Sequence, residues 1–313
     1  MALFKLTKKQ AITDLIVLAV LLAIGWTVLS VYAARHWKQR EVTVKTSKMP
    51  ENPYIDPAGD TQETRILPPA GYTRVPAAED SFLAFMRSQP VYPNGSDIYK
   101  YDGTNEPGVA AAAVYQLPLG TEGYQECADS VIRLWSTYFR QTGQTEKLMF
   151  HLTNGMECGY DTFRKGMRVL AFGEWSAWLP LAMPSEDSDQ LFNDWLMTVM
   201  RYAGTLSLSD ESHTIPAAEV RTGDIICRGG SPGHVVVIVD EAVNAEGKRC
   251  YLAAQGMIPA QSCHIIYSQM ENPWFTEEML SEPEIPMGIY TFHADEIRRW
   301  GAGFPNAAEQ GES

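Results

Sequence analysis

Residues 229–241 read GGSPGHVVVIVDE: a glycine-rich turn, one histidine, then an unbroken apolar run closed by two acids. Side chains alternate along an extended chain, so His234, Val236, Ile238 and Asp240 are expected on one face and Val235, Val237 and Val239 on the other. Apolar on both sides, the run is predicted to be a strand buried on both faces, with a titratable ring at its mouth. The turn NAEGK (244–248) leads into CYLAAQG (250–256), the return strand. Folding about residues 244 and 245 sets Gln255 nearly opposite His234, where an amide oxygen can hold an imidazole N–H and fix its tautomer. A slip of one residue would send Gln255 to the other face. GGSPG is not a phosphate loop, because it lacks the Lys-Ser/Thr ending and the Rossmann spacing. Its glycines are expected to turn the chain tightly and leave His234 exposed at the edge of the strand.

Outward from this hairpin, strands dominate after Pro216 and helices before it. RTGDIICRGG (221–230) turns through Asp224 into a strand, and CHIIYS (263–268) adds another. YQECADSVIRLWSTYFRQTG (124–143) places Cys127, Val131, Leu134 and Tyr138 along one helical stripe, with Ala128, Ile132, Trp135 and Phe139 beside it. SDQLFNDWLMTVMRYAGTLSL (188–208) gives a second helix, with Leu191 and Trp195 recurring on one face. The fold class that follows is α+β, with a cysteine-bearing helix packed on an antiparallel sheet.

From Leu15 to Ala34 no side chain is charged, which is enough helix to cross roughly 30 Å of hydrocarbon. Lys5, Lys8 and Lys9 precede the segment, and Arg35, Lys38 and Arg40 follow it, so basic residues do not set its orientation. A short tail inside and a bulky domain outside is the simpler topology. The expected organisation is a cytoplasmic tail and uncleaved anchor at 1–34, a flexible spacer at 35–65, one α+β domain at 66–300 and a disordered tail at 301–313. A lipid bilayer is then a partner of residues 15–34, with the soluble part extracytoplasmic. The formal charge is -13, with 38 acidic against 25 basic residues, and the body of the chain holds no basic cluster. That excludes nucleic acid as an expected partner.

Five cysteines occur, Cys127, Cys158, Cys227, Cys250 and Cys263. The odd number leaves at least one unpaired in a monomer, and Cys250 and Cys263 could bridge across a hairpin. Cys127 falls in the first turns of its helix, where unpaired N–H groups and the positive end of the dipole favour a thiolate. A thiol is a weak nucleophile until an imidazole takes its proton, and the imidazole needs a third group to aim it. Cys127, His234 and Gln255 are candidates for these roles. The backbone N–H of Cys127, with the Gln125 amide or a group from Tyr124, could stabilise an oxyanion, and Asp129 could bind a substrate amine or simply face solvent. His151, His213, His234, His264 and His293 show neither His-Glu-x-x-His nor Cys-x-x-Cys spacing, so no metal and no cofactor is expected.

RTGDIICRGGSPGHVVVIVDE resembles the Gly-Asp…Gly-His strand pair of the NlpC-type cell-wall peptidases, and ECADSVIRLW is similar to their cysteine-bearing helix. The resemblance implies a papain-like core and cleavage of amide bonds in peptidoglycan peptides. It carries the nucleophile onto Cys127, the base onto His234 and the third polar residue onto Gln255. Ala128 stands where those peptidases usually have serine, and Gln255 where histidine or asparagine is commoner. Over a longer stretch, about Ile66 to Phe292, the segments QECADSVIRL, YAGTLSL, GGSPGH and PAQ resemble a bacterial family known only as domain of unknown function 4846. The expectation is a membrane-anchored cysteine hydrolase working through an acyl-enzyme. The alternative is a noncatalytic extracytoplasmic binding module on the same fold.

Overall fold

The run Val235–Val239 is β-branched throughout, stiff at χ1 and suited to a pleated surface, and it forms the spine of the sheet. The computed structural model describes residues 8–33, 35–106 and 111–301; of the segments expected at 1–34 and 301–313, residues 1–7 and 302–313 lie outside the described residues. Among these, nine strands make one sheet: β1 (Tyr72–Arg74), β2 (Ala113–Val114), β3 (Ser212–Thr214), β4 (Ile225–Arg228), β5 (His234–Asn244), β6 (Arg249–Gln255), β7 (His264–Ile265), β8 (Trp274–Thr276) and β9 (Ile297–Trp300). The order is β2-β7-β6-β5-β4-β9-β3, with β1 paired to the far end of β5 and β8 to β6. Every pairing is antiparallel.

Each face of β5 is covered. Helix α2 (Cys127–Gln141) and helix α3 (Asp189–Tyr202) bring Val131, Leu134, Trp135, Trp195 and Val199 into one core with Val235, Val237 and Val239. On the other face, Val236 and Ile238 pack with Tyr251, Ala253 and the hairpin Glu284–Met287/Tyr290–His293. The mixed α+β class and the antiparallel sheet follow from the sequence pattern.

One expectation fails at the far end of β5. A bulge shifts the register between Ile238 and Asp240, so Ile238 pairs with Ala253 but Asp240 pairs with Leu252. Leu252 belongs to the helix-side core, and Asp240 turns to that side as well instead of sharing a face with His234. The carbonyl of Val239 at the bulge accepts a hydrogen bond from Gln62 Nε2 at 2.9 Å, and the Gln62 Oε1 accepts from the Tyr115 hydroxyl. Fully buried Asp240 is held by Arg74 Nε at 2.8 Å and Arg87 Nε at 2.9 Å. A buried carboxylate survives only when paired in this way.

Residues 35–65, expected as a free spacer, run along the body. Asp194 on α3 accepts from the Trp37 N–H at 2.6 Å and meets His36 Nδ1 at 2.7 Å. Arg40 N donates to Leu119 O, Ser47 N to Gly95 O and Leu67 N to Tyr54 O. The spacer reading failed because it weighed composition, whereas these are chiefly main-chain contacts that composition does not reveal. Helix α1 (Lys8–Ala33) carries an apolar stretch, Ile12–Val31, with mean hydropathy 2.4 and none of it buried against the body. It is long and apolar enough to cross a membrane.

All five cysteines are free and buried. Cys250 pairs with Ala242 and Thr276 near the start of β6, whereas Cys263 precedes β7, which pairs at the opposite end through Ala254 and Ile265. Continuing that pairing sets Cys263 opposite residue 256, six positions along from Cys250 and about 20 Å away, beyond disulfide reach.

Asp240→Ala leaves two arginines facing a buried void. It is expected to lower stability by roughly 3–5 kcal/mol in urea unfolding. Lys248→Ala, which breaks the exposed pair with Glu278, should leave the unfolding midpoint nearly unchanged in the same assay.

Candidate functional site

The β5–β6 register decides what His234 meets. Val237 pairs with Ala254 and Ile238 with Ala253, so continuing the ladder sets Gln255 beside Val236, diagonal to His234 and on its face. His234 Nε2 lies 2.8 Å from Gln255 Oε1. Beyond it, Gln255 Nε2 is 3.3 Å from His264 Nε2, and His264 Nδ1 is 3.1 Å from the Ser262 carbonyl. Gln255 and His264 are direct partners across β6 and β7. Three polar side chains thus form a line running along one face.

His234 is not exposed as the glycine-rich turn suggested: the residue is 2% accessible. Its ring is covered by Tyr290, stacked at 3.8 Å between centroids and 10° between planes, with Phe292 at 6.1 Å. The turn itself is tight for a local reason. Gly230 has φ +102°, and a Cβ on Gly233 would sit 2.3 Å from Thr205 Oγ1. Burial lowers the His234 pKa, and the Gln255 hydrogen bond opposes that shift. His264, 1% accessible, is pushed down to about 4 by burial. Both rings therefore rest neutral at pH 7.

Cys127 opens α2 on the other side of β5. It belongs to the core of Val235 and Val237, whereas the His234 ring packs with the layer of Val236 and Ile238. The sulfur meets the backbone at Ala128 and at Val235, the residue after His234. Among the described residues, no hydrogen bond joins the thiol to the imidazole. The helix start does not yield a thiolate: burial pushes Cys127 up to about 11, and Asp129 and Glu126 add to the rise against the backbone hydrogen bonds. Helix and sheet meet closely here, since a Cβ on Gly256 would lie 2.2 Å from Ser130 Oγ and 2.7 Å from Glu126 O. The residue after Gln255 can be nothing larger without moving the start of α2.

The other candidates have different employment. Gln125 Oε1 accepts from Arg133 Nε at 2.7 Å, and Arg133 reaches Asn193 Oδ1 through Nη1 at 2.9 Å. The Tyr124 ring lies under the Arg201 guanidinium at 4.8 Å. Asp129 is buried rather than facing solvent; its Oδ2 accepts from the Glu126 N–H at 3.0 Å and caps the helix. Burial pushes its carboxyl well above the usual range. Asp224 caps its turn by accepting from Arg221 N at 2.7 Å. Two members of the site were not picked out from sequence. His264 had a signal, because CHIIYS was a predicted strand that could follow Gln255. Tyr290 had none, since it arrives on a hairpin remote in the chain.

A family model described as domain of unknown function (4846) matches residues 62–299. The chain belongs to that family. The match spans α2, the sheet up to Arg299 in β9 and the Tyr290 hairpin, and leaves α1 and most of the 35–65 segment outside it. No curated protein and no solved structure matches the chain.

His264 links the site to stability. Its folded pKa of about 4 lies below the ordinary 6.5, so the neutral ring contributes fully above pH 6.5. That contribution, at most about 3 kcal/mol, is lost as the pH falls through the folded value. Buried acids such as Asp129 and Glu241 have raised values and act in the opposite sense. The comparison that isolates the ring is wild type against His264→Gln. On acidification from about pH 7 to about pH 4, urea unfolding should show wild type losing more stability than the variant.

Proposed function

We propose that the chain is a thiol hydrolase acting on an amide bond, with Cys127 as nucleophile, His234 as base and Gln255 as the group that aims the base. The observation that carries this reading is the 2.8 Å contact between His234 Nε2 and Gln255 Oε1. It engages the far ring nitrogen and leaves Nδ1, the nitrogen nearer the main chain, beside the peptide whose Val235 backbone meets the Cys127 sulfur. The order of groups is similar to that of the NlpC-type peptidases, and a peptidoglycan stem peptide is the substrate class this likeness suggests. Nδ1 takes the thiol proton as sulfur attacks the amide carbonyl, then delivers it to the departing amine. Water, deprotonated by the same nitrogen, attacks the thioester and releases the acid and the free thiol. The Cys127 backbone N–H is one oxyanion donor, and Gln125, whose Oε1 accepts from Arg133, can supply its Nε2–H as a second. Ring and sulfur rest in layers on opposite sides of β5, so this chemistry requires the start of β5 to turn the His234 side chain toward α2 when substrate binds, a larger change than the tightening of a preformed hydrogen bond.

A second reading, a binding module without turnover, is favoured by one observation: Cys127 is 4% accessible with its pKa at about 11. Labelling the native chain with a thiol-directed electrophile from neutral to alkaline pH, with Cys127 followed by peptide mass spectrometry, separates the two. With the electrophile carried on an amide peptide, so that binding can close the site, the hydrolase predicts a neutral-pH labelling component at Cys127 that His234→Ala abolishes. Equal, alkaline-only labelling in both proteins selects the binding module. Burial pushes Cys158, Cys227, Cys250 and Cys263 up to about 12, so they serve as unreactive internal controls.

We further propose that α1 is an anchor holding the body on the extracytoplasmic face of a bilayer, supported by the unburied apolar stretch Ile12–Val31. The chain should resist alkaline carbonate extraction, and protease added to intact spheroplasts should digest the body. Extraction by carbonate would remove the anchor, and protection from protease would reverse the orientation.

A further inference from the structure

The line of polar groups ends on an atom that cannot donate, and this gives every proton in it a fixed place. The Ser262 carbonyl only accepts, so His264 Nδ1, 3.1 Å away, carries the ring proton. The buried ring is neutral, which makes Nε2 its lone-pair side. Only the NH2 group of Gln255 can meet that lone pair, across 3.3 Å, and this settles which way the amide faces. Gln255 Oε1 then points at His234 and accepts from Nε2–H at 2.8 Å. A neutral His234 protonated at Nε2 has its lone pair at Nδ1, the nitrogen the proposed base chemistry uses.

We propose that His264 is a positioning residue that fixes the tautomer of His234 by fixing the orientation of the Gln255 amide. Its purpose rests on the hydrolase reading, but the proton order does not depend on turnover. Without an acceptor at position 264, the amide loses its reason to prefer one orientation. Flipped, it would present NH2 to His234 Nε2 and drive the proton to Nδ1, leaving no base there. The β6–β7 register is what delivers His264 to this place, since Gln255 and His264 are paired partners on adjacent strands. The close approach of Gly288, whose added Cβ would stand 3.4 Å from Gln255 Nε2, closes the open side of the amide. No donor or acceptor other than the two imidazoles engages the Gln255 side chain among the described residues.

The test is the ring-nitrogen NMR spectrum of the full chain in detergent micelles, with histidine ring 15N labels and long-range 1H–15N correlations at neutral pH. Wild type should show His264 as the Nδ1–H tautomer and His234 as the Nε2–H tautomer. In His264→Leu, which removes the acceptor, the single-tautomer pattern of His234 should be lost to a mixture. His264→Gln, which keeps an acceptor near the Nε2 position, should restore it. A His264 found as Nε2–H in wild type overturns the proposal even if the leucine variant fails to fold. A His234 that stays purely Nε2–H in a folded His264→Leu protein overturns it too. Failure of Cys127 to label at neutral pH would sink the hydrolase reading and leave these spectra unchanged, so the two ideas fail separately.

Discussion

The burial of β5 on both faces is the constraint from which the remaining architecture follows. A strand that hides Val235, Val237 and Val239 on one side and Val236 and Ile238 on the other needs two covering layers. Helices α2 and α3 supply one, and the 284–293 hairpin supplies the other. Because each layer carries one chemical group, the thiol on α2 and the ring lid Tyr290 on the hairpin, β5 acts as the partition between them. At Val235, next to His234, the Cys127 sulfur meets the backbone of that partition.

The bulge near Val239 resolves a conflict that an unbroken strand would have. Without the extra residue, Asp240 would point with Ile238 into an apolar layer; with it, the carboxylate reaches Arg74 and Arg87. The remaining cost is an unpaired carbonyl, and Gln62 meets it. The irregularity that spoils simple alternation is thus what lets one strand be apolar near its start and ionic further along.

Much of the architecture could be read from residue order. The 3.6-residue stripe of Cys127, Val131, Leu134 and Tyr138 marks α2, and the unbroken apolar run with its NAEGK turn marks the β5–β6 hairpin. The shared face of His234 and Gln255 came from that hairpin alone, because the turn lies between them and parity survived a small register error. Local pattern could not foresee what depends on distant chain. Asp240 changed sides through a bulge with no glycine to announce it. His234 was covered by Tyr290, 56 positions later. The relation of Cys127 to His234 is of the same kind: spacing along a helix and along a strand sets each side chain's face within its element, but not which layer the element occupies.

The attachment of residues 36 and 37 to Asp194 bears on reach. A free 30-residue spacer would span about 30 Å root-mean-square and let a tethered domain sample a wide hemisphere. Here Ala33, the end of α1, is three positions from His36, at most about 10 Å of chain. The start of the body therefore stays within about 10 Å of the end of α1, a third of the reach a free spacer would give. Were α1 held in a bilayer, a macromolecule meeting the body would have to approach close to that surface, so geometry would select among candidates before side-chain chemistry does.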